Sequence, residues 1–350
     1  MGDIRVVIAD DSQMVRELLR EILSRDPEIQ VVGEATNGQE AIALARSLRP
    51  DLITMDLNMP VMDGLSAIEE LMHTRGLPIL VVSDRSDAQT AYHALEVGAL
   101  ELIPKPSTSE EDAERFIHRV RLLAGVAVIT RLRRHSLPPR AVLPTADSRQ
   151  AFRAFQRVVA ITCSTGGPQA LLQLLCPLPV NFPAPILIAQ HMSDGFINGM
   201  AQWLSSLCAM PVTVAAEGEL LRAGHIYLSP SERDLSVTAS HHVRLLAREE
   251  GAVYRPSGDV MLNSVACVYG ADTIGVILTG MGRDGVNGMR TIYQAGGTTL
   301  SQDEASSVIY GMNQEAVKAG VIQHVLPLEA LPARLLRETR FTAYHREPRA

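Results

Sequence analysis

Aromatic side chains are scarce in this chain, with one Trp, six Phe and seven Tyr among 350 residues. So few rings cannot fill a large interior, and a mainly aliphatic core is expected. Cysteine is scarcer still: Cys163, Cys176, Cys208 and Cys267 stand far apart, with neither metal-ligand spacing nor a paired framework. That usage fits a reducing cytoplasm, and disulfides are not expected. A positive excess is also missing. The formal charge is −7, and "RLRRH", residues 131–135, is the one locally basic stretch. Phosphate neutralisation needs clustered Lys and Arg, so nucleic acid is not expected as a partner. No apolar run reaches the roughly 20 residues that cross a bilayer, and the opening "MGDIRVVIADD" lacks a signal-peptide pattern, so membrane insertion is not expected either.

What is present is α/β periodicity, in a length that suits two domains. The first half runs "IRVVIAD", a helix from Ser12 to Arg25, "IQVVGEA", a helix near Gly38 to Leu48, and "DLITMD". It continues with "PILVVS", a helix around Asp87 to Val97, "LELIPK", and an amphipathic helix from about Ser109 to Leu123. Five strand and helix units in this length predict a flavodoxin-like, five-stranded parallel sheet. Between Gly125 and Phe155 the periodicity fades into Pro, Arg and small polar residues, which reads as a linker. Beyond it, "RVVAITCS", "APILIAQHM", "HIYLSP", "VRLLA", "TIGVILTG" and "GGTTLS" predict a second doubly wound, mostly parallel α/β domain.

In parallel sheets, sites form beyond the carboxyl ends of the strands. The first half places Asp10 and Asp11 after its first strand, Asp56 after the third, Ser83 after the fourth and Lys105 after the fifth. Carboxylates gathered at one edge repel unless a hard cation joins them, and such an oxygen set suits Mg²⁺. One carboxylate can then attack a phosphoryl group whose oxygens are neutralised by metal, hydroxyl and ammonium. Taken singly, each Asp is also explained as a turn former or helix cap.

Together, "ADDS", "DLITMDLNMPVMDG", "VVS" and "PKP" resemble the receiver domain of two-component response regulators. The resemblance implies that Asp56 is the phosphoacceptor, with Asp11, Asp56 and the Asn58 backbone carbonyl on the metal and Asp10 acting on it indirectly. It assigns Ser83 as the switch hydroxyl and Lys105 as the phosphoryl-binding ammonium, and it implies a cis Lys105–Pro106 bond. Leu102, three residues before Lys105, departs from the family pattern of a switch aromatic.

In the second half, "VVAITCSTGGPQA" reads as strand, glycine turn and helix, with Pro168 opening the helix. A helix amino terminus with outward N–H groups can hold an anion or oxyanion. The turn lacks the Gly-Lys-Ser/Thr ending of a phosphate loop and the spaced glycines of a dinucleotide fingerprint. Ser164, His191 after "ILIAQ" and Asp284 in "ILTGMGRDG" come from three strand ends on one sheet edge. A His can take the serine proton while a carboxylate on its other nitrogen fixes the tautomer. Topology alone leaves this triad and a set of satisfied turn residues both open. Cys163 is adjacent to Ser164, but neighbouring side chains on a strand face opposite sides, so Cys163 is expected in the core.

"STGGP", "QHM", "VYRPSGDVML" and "ILTGMGRDG", in this order after a receiver and linker, resemble the chemotaxis protein-glutamate methylesterases over nearly the whole chain. The resemblance implies Ser164 as nucleophile, His191 as general base and acid, and Asp284 as orienting carboxylate. It also implies Met281 N–H as an oxyanion donor and Thr165 as a supporting residue, with no cofactor at the esterase site. The expected spans are a receiver over 1–124, a linker over 125–155 and a catalytic domain over 156–345. The implied substrates are methylated chemoreceptors, whose γ-glutamyl methyl esters are hydrolysed to release methanol; members of the family also deamidate receptor glutamines. The implied phosphodonor is a chemotaxis histidine kinase. The unphosphorylated receiver is expected to restrict access to Ser164. The competing reading is a response regulator whose second half only binds a partner.

Among the remaining conspicuous residues, His225 is expected to start a strand, and His241 and His242 to form a turn. Met192, Met261 and Met281 are expected to pack rather than ligate. Arg255 is open between the cleft and a structural ion pair.

Overall fold

The computed structural model describes residues 3–74, 76–84, 88–126, 155–248, 251 and 253–340. The linker expected at 125–155, with its basic "RLRRH", thus lies almost entirely outside the described residues, as does the chain beyond 340. The chain divides into two compact units, residues 1–145 and 146–350.

The first unit alternates β1 (Ile4–Ala9), α1 (Gln13–Ser24), β2 (Ile29–Ala35), α2 (Gly38–Leu48), β3 (Leu52–Met55) and α3 (Gly64–Thr74). It ends with β4 (Ile79–Ser83), α4 (Ala88–Val97), β5 (Glu101–Pro104) and α5 (Glu110–Ala124). Its five strands are ordered β2-β1-β3-β4-β5, with every pairing parallel. β3 and β4 are buried along their whole length, as strands covered by helices on both faces must be. The order reverses between β1 and β3, and it is there that the strand ends deliver Asp10 and Asp56. Helix starts are set locally: Asn37 Oδ1 accepts Glu40 N–H at 3.0 Å, while Glu40 Oε2 accepts Thr36 N–H at 2.7 Å, a reciprocal cap on α2.

The second unit contains β6 (Val158–Cys163), α6 (Gly167–Leu175), β7 (Ile186–Gln190), α7 (Ile197–Leu207), β8 (Val212–Val214) and β9 (Ile226–Leu228). A hairpin of β10 (Arg233–Val237) and β11 (Val243–Ala247) follows, then α8 (Gly258–Tyr269), β12 (Thr273–Ile277) and α9 (Val286–Gln294). The unit closes with β13 (Thr298–Gln302), α10 (Met312–Lys318), β14 (His324–Leu326) and α11 (Leu331–Arg340). Seven strands form one parallel sheet, β14-β13-β12-β6-β7-β9-β8, with β6 at its centre. "VRLLA" does not join it. As β11 it pairs antiparallel with β10 through a turn in which His241 adopts a φ of 63° and His242 follows, so that pair forms the turn expected of it.

The interior is mainly aliphatic, with Tyr92, Tyr227, Phe116, Phe182 and Phe196 its largest fully buried rings. One expectation fails: the cis X-Pro bond among the described residues is Arg255–Pro256, not Lys105–Pro106. Trans is the default even before proline, by about 0.5–1 kcal/mol, and "PKP" by itself carries nothing that overrides it. No helix among the described residues is long and apolar enough to cross a membrane.

Candidate active site

The parallel register of β6, β7 and β12 determines what meets at the carboxyl edge of the second sheet. Cys163 of β6 pairs with Gln190 of β7, and Thr162 pairs with Ile277 of β12. Ser164 and His191 are therefore the next residues on adjacent strands, and His191 N–H donates to Cys163 O at 2.9 Å. After β6 the chain turns at Gly166, whose φ of 76° is open to glycine, and α6 begins with Pro168 in its first turn.

His191 Nε2 lies 2.7 Å from Asp284 Oδ2, so Nδ1 is the ring atom left to face a nucleophile. The imidazole stacks on Tyr254, with centroids 5.2 Å apart and planes 17° from parallel. Tyr254 Oη in turn accepts the N–H of Arg283 at 3.1 Å. Asp284 is buried, which by itself raises a carboxyl pKa. Hydrogen bonds from His191 and from the N–H groups of Asp259 and Gly258 outweigh that, and hold it below the usual carboxylate value. Ser257 Oγ adds a further hydrogen bond at 3.2 Å. Among the described residues no hydrogen bond joins Ser164 Oγ to the imidazole, a contact that commonly tightens only with substrate bound.

Behind Ser164, its N–H donates to Thr279 O at 3.0 Å, and Thr279 Oγ1 donates to Thr165 O at 2.9 Å. Thr279 N–H is held by Gln302 Oε1 at 2.9 Å. Gly280 lies directly against Ser164: a Cβ there would fall 2.6 Å from Ser164 Cβ. Met281 follows it, 37% exposed, so this side chain does not pack in the core as Met261 does. Cys163 is fully buried, and burial pushes its thiol well above the ordinary range. It sits in the core as its strand parity requires. His225 precedes β9 and stacks on Tyr227, and the Arg255 guanidinium is exposed and makes no ion pair among the described residues.

In the first unit, Asp10, Asp11 and Asp56 each bring a carboxylate oxygen within 4.8 Å of the others. Lys105 Nζ reaches Asp10 at 2.9 Å and Asp56 at 3.3 Å. Burial raises Asp56; Lys105 offsets part of this and Asp10 adds to it, leaving the carboxyl at about 6. Ser83 Oγ is buried at the end of β4 without a hydrogen-bond partner among the described residues. Asn58 is exposed two residues beyond Asp56. The carboxylate cluster is a hard-oxygen set of the kind that holds Mg²⁺.

Fold and sites together define a two-domain protein, with a receiver-type acidic pocket in one unit and a Ser/His/Asp strand edge in the other. Residues 6–116 match the response regulator receiver domain model, and residues 159–335 match the CheB methylesterase model. The chain belongs to the CheB methylesterase family. It is 51% identical over 343 residues to a protein-glutamate methylesterase/protein-glutamine glutaminase of Paramagnetospirillum magneticum, covering 97% of each chain. A relative of the same description from Myxococcus xanthus is 42% identical over 339 residues, covering 95% of this chain and 96% of its own. The crystal structure of the Thermotoga maritima CheB methylesterase catalytic domain matches at 35% identity and a TM-score of 0.51, covering 53% of this chain and 99% of that one.

Sequence reasoning missed Gln190, Tyr254, Ser257 and Gln302. All four act through partners distant in the chain. The only local signals were the position of Gln190 beside His191 and the inclusion of Tyr254 and Ser257 in "VYRPSGDVML".

Proposed function

We propose that this protein hydrolyses γ-glutamyl methyl esters on chemoreceptors, under control of phosphorylation at Asp56 by a chemotaxis histidine kinase. The observation that carries the reading is the His191–Asp284 pair seated one strand from Ser164, in a chain of this family. Ser164 Oγ attacks the ester carbonyl as its proton passes to His191 Nδ1, and Asp284 on Nε2 stabilises the imidazolium. The oxyanion forms beside Gly280, where Met281 N–H stabilises it and Thr165 supports the turn. Collapse expels the methoxy group, which takes the imidazolium proton and leaves as methanol. Water, deprotonated by His191, then cleaves the acyl-enzyme to give glutamate and free Ser164. The same steps on a glutamine side chain release ammonia.

The receiver is assigned to residues 1–124, the linker to 125–155 and the catalytic domain to 156–345, in a cytoplasmic protein. Asp11, Asp56 and the Asn58 carbonyl would hold Mg²⁺ directly, with Asp10 behind them. The cation would neutralise phosphoryl oxygens during transfer. Lys105 and Ser83 bind the phosphoryl group once it is on Asp56. The unphosphorylated receiver restrains the esterase.

The test is methanol release from methylated receptor membranes, with and without acetyl phosphate and Mg²⁺. Ser164→Ala is expected to lose about 10⁴- to 10⁶-fold in turnover, and Asp284→Asn less. Asp56→Asn is expected to keep basal turnover and lose the response to the donor. Wild-type protein that releases no methanol from any methylated receptor would overturn the substrate assignment, and full activity in Ser164→Ala would overturn the serine mechanism.

A further inference from the structure

Gln190 is the last residue of β7, and its side chain is 3% exposed. Strand parity turns it to the face opposite His191, yet its amide reaches back to the main chain of both reacting residues. Nε2 donates to Ser164 O at 2.9 Å and to His191 O at 2.8 Å. Oε1 accepts the Cys163 S–H at 3.0 Å. Both amide hydrogens are thus used on carbonyls of two different strands. The reverse amide orientation would set its oxygen against both carbonyl oxygens and leave the thiol without an acceptor. Gly167 admits the group: a Cβ at that position would collide with Gln190 Oε1. Gly167 N–H also donates to Ser164 O at 2.8 Å, so this carbonyl is held from two sides.

Nucleophile and base lie on separate strands, and the strand ladder ends at them. Without the amide, the backbone hydrogen bond from His191 N–H to Cys163 O is what ties the two segments at this level. We propose that Gln190 is a positioning residue for the esterase reaction, bracing the Ser164 and His191 main chains at the separation that proton transfer needs. Cys163 supplies the donor that orients the amide. The thiol beside the nucleophile therefore acts in its protonated form, as a hydrogen-bond donor, and burial keeps it so.

The proposal rests on the serine-hydrolase reading above, so its test combines methanol release with a substrate-independent measure, the rate at which a fluorophosphonate labels Ser164 in the full-length protein. Gln190→Met keeps the length and removes both donors. Its kcat and its labelling rate are expected to fall together by about 10- to 100-fold with KM within about twofold, as for a small misplacement of reacting groups. Gln190→Glu separates positioning from packing. Its carboxylate faces two carbonyl oxygens, whereas its protonated acid restores one donor, so its activity relative to wild type at the same pH is expected to rise as pH falls. Cys163→Ala is expected to lose a few-fold in kcat. The proposal is overturned if Gln190→Met keeps wild-type kcat and labelling. It is also overturned if the loss follows only the fraction of unfolded protein while the Gln190→Glu ratio stays flat with pH. If Gln190→Met does not fold, the Gln190→Glu ratio decides. Wild type that labels at Ser164 but releases no methanol defeats the substrate assignment, and the labelling rates still decide the role of Gln190.

Discussion

Val61 has a φ of 68° and is 78% exposed in the loop after Asp56. For a β-branched side chain the left-handed region is a strained conformation, and exposure means that no packing there compensates it. Val61→Asn is expected to raise stability by about 1 kcal/mol, read as a higher midpoint of the receiver transition in calorimetry of the whole chain. Asp56 makes a second prediction at this scale. Its folded pKa, about 6, lies above the ordinary 3.8, so between those values the folded state binds more protons than the unfolded one. Unfolding free energy from this group therefore falls as pH rises through that window and is level above it. Asp56→Asn is expected to stabilise the receiver at neutral pH without Mg²⁺, with the advantage shrinking as pH drops towards 4. Equal stabilisation at all pH values would show that burial of the charge is not the cause.

Among the elements, α8 is joined at its first turn to Asp284, the carboxylate proposed to orient His191. Asp284 Oδ1 accepts the Asp259 N–H at 2.9 Å and Oδ2 accepts the Gly258 N–H, both in the first turn of that helix. A carboxylate there satisfies orphan donors and meets the positive helix end. Asp284→Ala is expected to cost about 1–2 kcal/mol in denaturant unfolding, and Asp284→Asn less, because the amide oxygen still accepts. Activity is expected to drop in both, so stability and turnover separate the two roles of one side chain. The folded pKa of Asp284 is depressed, so its contribution is present above the ordinary carboxylate value and is lost as pH falls through the lower folded one. The periodicity of β1, α2, β6 and β7 was legible because each is long enough to show its pattern. β8 and β14 were not, at three residues each on the sheet edges. "VRLLA" reads as a sheet strand by composition; only its pairing partner placed it in a hairpin.

Across the whole molecule, the acidic cluster of Asp10, Asp11 and Asp56, proposed to hold the metal and accept the phosphoryl group, and the proposed esterase edge belong to different units. Chelating divalent cations is expected to abolish stimulation by acetyl phosphate while leaving unstimulated methanol release in place. Loss of the unstimulated rate would instead place a metal in the esterase chemistry. The tertiary fold also brings together Cys176 and Cys208, whose sulfurs lie 3.9 Å apart as free thiols, although the two residues show no pairing pattern in the chain.

Strand ends were readable from the sequence alone because hydrophobic period and glycine turns are local properties, and in a parallel sheet every strand carboxyl end falls on the same edge. That logic placed Asp10, Asp56, Ser83, Lys105, Ser164, His191 and Asp284 at two sheet edges, and strand parity placed Cys163 in the core. Register and side-chain rotation are not local. Only the fold decided that Asp284 meets Nε2 rather than Nδ1 of His191, that Tyr254 lies flat on that ring, and that Gln190 reaches around its own strand to hold two carbonyls. Each depends on distances between segments far apart in the chain, which no single stretch of sequence encodes.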